Sequence, residues 1–483
     1  MTSSSNINIR INISVLAIAL ISICNFVSCS KKNYPSVKID GLNYISVMAF
    51  GTKGNGKTDD RSAIQEALNS GKNIYFPKGD YLLKSKTSTT ALLVATAKNR
   101  KYRLFFEEEA RLVVSPDQPT DYIKPAVLLF YAEKNGTINQ VHIKGLNIEG
   151  NRDLHKIENV GILFYEKSGS KISNVYLENI SVKNMGGGGI HTQARYNDFK
   201  KIYTENNGAH GIGVINTTNL GVENEFYLDG FTSIDDDAYS IDFSGYSKNG
   251  KLVKGYSWKG SAKNITSINS FYGIKTAGYW DLDLENVTIE NSAHNGFFIN
   301  VDAPGKTINI NNMTIINAKG NGMSLSGNTN VIAKNIKIEG CTVGLNIRKS
   351  NTTIENITID GKHKNTASIR MGDSDVSIKN FTIKNASKKD EYPVWVRGEN
   401  ILLENGEFIN NQSPNEMIIH ETAKNVTLKN LKFRMGSNTR SSVKKKAITN
   451  IQKQGKTDII NCDFSRVTGK KIDDRTKRIK ILK

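Results

Sequence analysis

The chain has 483 residues, 65 basic against 46 acidic side chains, a net charge of +19, 38% hydrophobic residues, and 40 glycines against 8 prolines. That balance excludes a disordered polymer and a bundle of membrane spans. The four cysteines, Cys24, Cys29, Cys341 and Cys462, lack short paired spacings, which excludes a disulfide framework or a zinc site as the organising principle.

In chain order, the first element is an address. Arg10 precedes an apolar run from Ile13 to Val27, too short for a bilayer span of ~20 residues and proportioned as the core of an export signal. It ends Phe26-Val27-Ser28-Cys29-Ser30, which resembles a bacterial lipobox, with Cys29 as the lipidated residue. Residues 1–28 then read as the signal and 29–42 as a polar tether. The expected location is the cell envelope of a Gram-negative bacterium, lipid-anchored to the outer membrane and facing the periplasm or the surface; plain secretion with cleavage near Ser28 is the alternative. Cys341 and Cys462 are expected to be inert buried thiols.

The second element opens with Val47-Met48-Ala49-Phe50-Gly51 and runs through Gly54-Asn55-Gly56 to Thr58-Asp59-Asp60. It predicts a glycine turn, an aspartate N-cap and a short helix with Ile64, Ala67 and Leu68 on one face. Ile74-Tyr75-Phe76-Pro77 and Gly79-Asp80-Tyr81 follow. A helix there would close the open end of the structure that comes next.

That structure is a repeat. Asn264-Ile-Thr-Ser, Asn286-Val-Thr-Ile, Asn312-Met-Thr-Ile, Asn335-Ile-Lys-Ile, Asn356-Ile-Thr-Ile and Asn380-Phe-Thr-Ile recur at spacings of 22, 26, 23, 21 and 24 residues. Each is followed by a second alternating run such as Gly273-Ile-Lys-Thr or Gly322-Met-Ser-Leu. Period-two alternation in short runs means strands with one buried face. Without helices between them, strands repeating this often stack as coils of a parallel solenoid. A β-sandwich with regular strand spacing would not bring asparagine back at the same phase. Asparagine suits the left-handed corner of a coil, and stacked amides can bond from coil to coil.

The 47–81 opening, with this coil period behind it, resembles the pectate-lyase-3 and polygalacturonase superfamily. The resemblance implies an all-β fold: a right-handed single-stranded parallel β-helix with a short N-terminal capping helix, over residues 43–433, leaving 434–483 as a basic C-terminal extension. This fold carries hydrolases, lyases, epimerases and phage tail proteins, so activity must be read from a site.

Laying the second runs in register puts Ile190, Ile212, Tyr239, Ile274 and Phe297 at one inward level. His191, Ser240, Lys275, Arg370 and Trp395 then face outward one residue later, and Asp242, Asn300, Arg348 and Arg397 two residues further on. The polygalacturonase resemblance implies an aspartate pair, a Gly-His-Gly and an Arg-X-Lys in successive coils. Asp236-Asp237 fits the first, but Phe271-Tyr272-Gly273 has tyrosine for histidine, Gly296-Phe-Phe-Ile-Asn has neither cation, and Ala209-His210-Gly211 falls one coil early. The residue types suit β-elimination on a uronic-acid polymer instead. That reaction needs the C5 carboxylate neutralised, a base for the C5 proton and an acid for the departing oxygen. Lys275, Tyr272 and His210, with Asp236 and Asp237, are the expected catalytic set. His191, Arg195, Asp242, Asn300, Arg348, Arg370 and Trp395 are the expected substrate contacts. The C5 carboxylate would be neutralised by an arginine such as Arg195 or by a Ca²⁺ ion held at Asp235, Asp236 and Asp237. Gly186 to Gly189 are expected to turn the backbone tightly or admit substrate closely. Phe243, Tyr246, Tyr256 and Trp258, in the long excursion over 220–263, are expected to wall the cleft.

Residues 434–483 contribute +11 of the +19, and Arg348, Arg370 and Arg397 add cations to one face, which favours an acidic, sulfated glycan. The export signal and the absence of a recognised module argue against nucleic acid. The expected protein is a monomeric envelope polysaccharide lyase, partnered with the membrane through Cys29. Glycosaminoglycans such as chondroitin, dermatan or hyaluronan rank ahead of pectate and alginate as substrates. A polygalacturonase-like hydrolase using Asp236 and Asp237 and a non-catalytic glycan-binding lipoprotein are the alternatives.

Overall fold

Two left-handed corners per coil set the architecture. Asn264, Asn286, Asn312, Asn335, Asn356 and Asn380 all have φ between 54° and 62°, a backbone that asparagine tolerates better than most residues. Five residues later Asn269, Asn291, Asn317 and Asn385 repeat the conformation. Each long strand, such as Ser257–Ile268 or Thr307–Ile316, is thereby bent into two straight stretches, and the short strand after it forms a third. The corner amides stack: Asn286 Nδ2 donates to Asn264 Oδ1 at 3.1 Å, Asn312 to Asn286 at 3.1 Å, and Asn356 to Asn335 at 3.0 Å.

The computed structural model describes residues 34–84, 91–96, 100–117, 126–154, 159–167, 169–214, 223–244, 247–248, 251–252, 257–300, 303–362, 368–387, 391–434 and 446–482. The long strands join a 24-stranded sheet and the short ones a 15-stranded sheet. Among the described residues only two pairings are antiparallel, Ser36–Ile39 with Leu42–Ser46 and Ser247–Lys248 with Lys251–Leu252. Inside, Ile190, Ile212, Ile241, Ile274, Phe297, Met323, Leu345, Ile369 and Val394 form one buried column, held by the register of the 15-stranded sheet. Such a column buries apolar area at each coil step, a stabilisation of roughly 25 cal/mol per Å².

The helix is where the sequence puts it: α1, Arg61–Asn69, buries Ile64, Ala67 and Leu68. It closes the last strand of the 15-stranded sheet, Leu93–Thr96. Gln65 exchanges bonds with the Val94 backbone, its Nε2 donating to Val94 O at 2.7 Å and its Oε1 accepting from Val94 N at 2.9 Å. Asp60 is not the expected side-chain cap. Its carboxylate turns back to accept from Lys53 N at 2.6 Å and Gly54 N at 2.9 Å, fixing the glycine turn.

Two expected boundaries and one expected wall change. Residues Ser36–Ile39 of the expected tether form a strand paired with Leu42–Ser46. The end expected at 433 is not there: Lys446–Asn450, Lys456–Ile460, Ile472–Asp474 and Ile479–Leu482 continue both ladders, so the described part of 434–483 is the last turns of the solenoid. Phe243 and Trp258 lie in the core, 0% and 1% exposed, with Trp258 stacked on Trp280, and do not wall a cleft. Cys29, Cys24, Tyr246, Tyr256, Arg440 and the side chain of Asn300 lie outside the described residues. Cys341 is buried and Cys462 half-buried, both unpaired; burial pushes the Cys341 thiol up to about 11.

Candidate functional site

The short strands carry the chemistry. In order, they are β1 (Ile190–Thr192), β2 (Ile212–Val214), β3 (Tyr239–Ser244), β4 (Tyr272–Ala277) and β5 (Phe297–Asn300). In β3 the register differs from the sequence alignment. Ile241 pairs with Ile212 and Ile274, so it takes the inward level expected of Tyr239. Most coils place an inward glycine just before that level: Gly211, Gly273, Gly296 and Gly322 would each press a Cβ onto interior atoms. Ser240 stands in that slot here. It is 0% exposed, and its hydroxyl bonds to those of Ser233 at 3.0 Å and Ser270 at 2.8 Å.

The shift brings two outward files together. One runs His191, Gly213, Asp242, Lys275, Phe298. The other, on the corner side of it, carries His210, Tyr239 and Tyr272. Asp242 and Lys275 are adjacent and form a largely buried ion pair: Lys275 Nζ donates to Asp242 Oδ2 at 3.1 Å, with side chains 17% and 7% exposed. Asp242 Oδ1 is buried without a hydrogen-bond partner among the described residues. Lys275 Nζ also lies 4.6 Å from the Tyr239 ring centroid, a cation–π contact. Tyr239 stacks on Tyr272 at 4.9 Å and leans on His210 at 5.0 Å. Phe298 and His294 pack on Tyr272 at 4.9 and 4.8 Å.

Burial splits the titration of this cluster. His210 Nε2 is 3.7 Å from Asp242 Oδ2, too long for a hydrogen bond. Desolvation lowers its pKa below the ordinary imidazole value; Asp242 opposes that shift and Lys275 reinforces it. Desolvation raises Tyr272, and raises Tyr239 to about 12, with the Asp242 charge adding to it. At neutral pH the histidine is therefore a free base beside protonated phenols, the divergence expected of an acid and base working together.

Residues 44–96 match the family model described as rhamnogalacturonase A/epimerase, pectate lyase-like. The chain is similar in structure to the pre-mature gene product 12 of bacteriophage phi29, with a TM-score of 0.51, 14% identity, and coverage of 86% of this chain and 55% of that one. ORF18 of Geobacillus virus E2 has a TM-score of 0.47, 16% identity, and coverage of 71% and 68%. The A-module of an Azotobacter vinelandii mannuronan C-5 epimerase has a TM-score of 0.39, 12% identity, and coverage of 91% and 100%. No curated protein matches the sequence. The opening of the chain is thus similar to the pectate-lyase-like family, and the stacked parallel strands give the described chain the β-helix fold.

Within this coil the expected aspartates separate. Asp236 is 0% exposed and points inward. Its Oδ2 accepts from Thr204 Oγ1 at 2.7 Å and Ser233 Oγ at 2.6 Å, and its Oδ1 from Asn207 Nδ2 at 2.8 Å and Asn207 N at 3.1 Å. Burial raises its pKa against those donors. It ties the coil together and is closed to substrate, contrary to the expected catalytic role. Asp237 is half exposed and paired with Arg152, away from Lys275. Asp235 is a left-handed corner, φ 55°, accepting from Asn269 Nδ2 at 3.0 Å. Three carboxylates aimed three ways do not make the expected Ca²⁺ clip, and no cluster of three metal-ligating acids, histidines or cysteines occurs among the described residues.

Of the expected substrate contacts, Asp242 sits inside the cluster. His191 is 8% exposed, lodged where Gly188 and Gly213 leave room: a Cβ on either would fall 2.3 or 2.8 Å from its ring. It packs beside His210, with ring centroids 5.5 Å apart, and backs that ring rather than facing a ligand. Of the glycines of 186–189, Gly188 thus admits a side chain of the protein itself. Arg195 stands at the corner after β1, its Nε buried without a hydrogen-bond partner among the described residues. Arg348, Arg370 and Trp395 share the site's sheet, three to five coils further along. Tyr239, Phe298 and His294 are the members that sequence reasoning left out. Treating Ser240 as the equivalent of the coil glycine would have placed Tyr239 correctly.

Proposed function

We propose that this protein is a polysaccharide lyase acting on uronic-acid glycans by β-elimination, with glycosaminoglycans ranked ahead of pectate and alginate. The carrying observation is the Asp242–Lys275 pair set between an unprotonated His210 and the protonated Tyr239 and Tyr272. In this reading His210 takes the C5 proton, and Asp242 beside it stabilises the imidazolium that forms. The C5–H electrons become the C4=C5 double bond as the C4–O bond breaks. The Tyr272 hydroxyl gives its proton to the departing oxygen, and the imidazolium returns a proton to the phenolate through solvent. Lys275 faces the substrate carboxylate, whose charge grows as the proton leaves.

An inverting hydrolase needs two available carboxylates about 6.5–9.5 Å apart; with Asp236 sealed inside, the cluster offers Asp242 alone. Incubation with chondroitin, hyaluronan, polygalacturonate and alginate tests the reading. Ultraviolet absorbance of an unsaturated uronate is expected. New reducing ends without that band would indicate a hydrolase, and neither signal would leave a binding protein. The envelope location and the lipid at Cys29 belong to the same proposal; metabolic labelling with a radioactive fatty acid, lost in Cys29→Ala, tests them.

A further inference from the structure

Beyond Phe298 the outward files of the 15-stranded sheet change character. One continues Ser324, Asn346, Arg370, Trp395. The file beside it runs Ser326, Arg348, Gly372, with Arg397 in the next coil. Neither file offers a carboxylate before Asp473, which is already taken by Lys446, Lys470 and Arg475 at 2.8, 2.8 and 3.3 Å.

Arg348 and Arg370 are exposed, and Arg348, Arg370 and Arg397 have no ion pair among the described residues. On the neighbouring face, by contrast, Lys334, Lys379 and Lys429 are each answered by a glutamate. Arg397 lies over the Trp395 ring at 5.6 Å, and its Nε is buried without a hydrogen-bond partner among the described residues. Coils rise ~4.8 Å each, so Arg348 and Arg397 are about 10 Å apart, with Arg370 between them in the adjoining file and glycine at 372 keeping the gap open. Three guanidiniums without an ion pair among the described residues and one indole on one wall fit carboxylate or sulfate groups on a sugar chain, through paired N–H donors and ring stacking.

We propose that Arg348, Arg370, Trp395 and Arg397 form a polyanion grip that holds the carboxylate- or sulfate-bearing stretch of a glycan about 14–24 Å along the same face from Lys275. The proposal rests on the glycan reading of the site and adds a chain-length requirement. A long polymer spans both regions, whereas an oligosaccharide too short to reach Arg348 uses the proton-transfer cluster alone.

The test is equilibrium binding of the full chain to end-labelled chondroitin sulfate, polygalacturonate, dextran sulfate and neutral dextran, read by anisotropy. The charged polymers are expected to bind with an affinity that falls as salt rises, and dextran not to bind. Relative strength on polygalacturonate and dextran sulfate separates carboxylate from sulfate recognition. Arg370→Gln and the double variant Arg348→Gln/Arg397→Gln should each weaken polymer binding by on the order of tenfold or more. Both variants should raise KM on polymer more than on short oligosaccharides, with the circular dichroism of the folded chain unchanged. Wild-type affinity in both variants, or equal binding of neutral dextran, would overturn the grip. Binding lost in the variants, with no unsaturated product from any glycan, would leave the grip standing and remove the lyase.

Discussion

Lys275→Met removes the cation from a pair that is nearly closed to solvent. At 3.1 Å and an effective dielectric constant of roughly 20, the attraction between unit charges is about 5 kcal/mol. The variant leaves Asp242 with neither oxygen hydrogen-bonded among the described residues, where Oδ1 already has no partner. Removing one member of such a pair costs about 3–5 kcal/mol. Asp242→Asn alone should cost a similar amount, because it strands the ammonium. The double variant should recover a large part of the loss, with a coupling energy of about 2–3 kcal/mol. A β-solenoid can unfold in segments, so the assay must be local. Trp258 and Trp280, stacked in the core, lie in the long strands that follow β3 and β4 in the chain, and their fluorescence in urea reports that stretch of the solenoid. Single variants costing under ~1 kcal/mol, with additive effects in the double, would mean an exposed surface pair and would refute the buried one.

Four further outcomes follow from the same geometry. His210→Ala should lower turnover by about 10²–10⁴-fold, and Tyr272→Phe should do so comparably, both with circular dichroism unchanged. The wild-type rate should fall as pH drops below the ordinary imidazole value of 6.5 towards the lowered His210 value; in Lys275→Met any residual activity should lose its acid limb at higher pH, because a cation that lowers that pKa is gone. His191, lowered to about 3 by burial, binds its proton more weakly folded than unfolded. Its contribution is complete above pH 6.5 and is lost between 6.5 and 3, at up to ~1.4 kcal/mol per pH unit, so His191→Gln should flatten the acid slope of a urea titration. Asp236→Asn should reduce stability while folded molecules keep their turnover; loss of turnover in a stable variant would bring back the hydrolase.

The coil period, the corner asparagines and the helix with Ile64, Ala67 and Leu68 were legible in the sequence because each is local: a φ preference, an alternation, a three-residue apolar stripe. The site was partly legible. Lys275, Tyr272, His210 and Asp242 were all singled out, yet the contact between Lys275 and Asp242 was missed, because one coil carries Ser240 where its neighbours carry glycine and the alignment slipped by two residues. Asp236 looked catalytic because a carboxylate in sequence is the same letter inside or outside. Only the hydroxyls of Thr204 and Ser233 and the amide of Asn207, from coils 29 to 32 residues away or the preceding turn, show that it points inward. The boundary at 433 failed because the lysines of 444–446 and the buried Asn450 hid the alternation of Lys446–Asn450, whose core side keeps Ile448 but puts an amide opposite Ile419 of the coil before.

Proton removal at C5 is most directly tested in heavy water. A susceptible uronate polymer is incubated with the protein, and the recovered polymer and products are read by NMR for deuterium and for the vinyl proton of the unsaturated residue. Wild type is expected to generate the vinyl signal, and His210→Ala to generate none while still binding the polymer. Vinyl product formed at an undiminished rate by His210→Ala would contradict the assignment of the base.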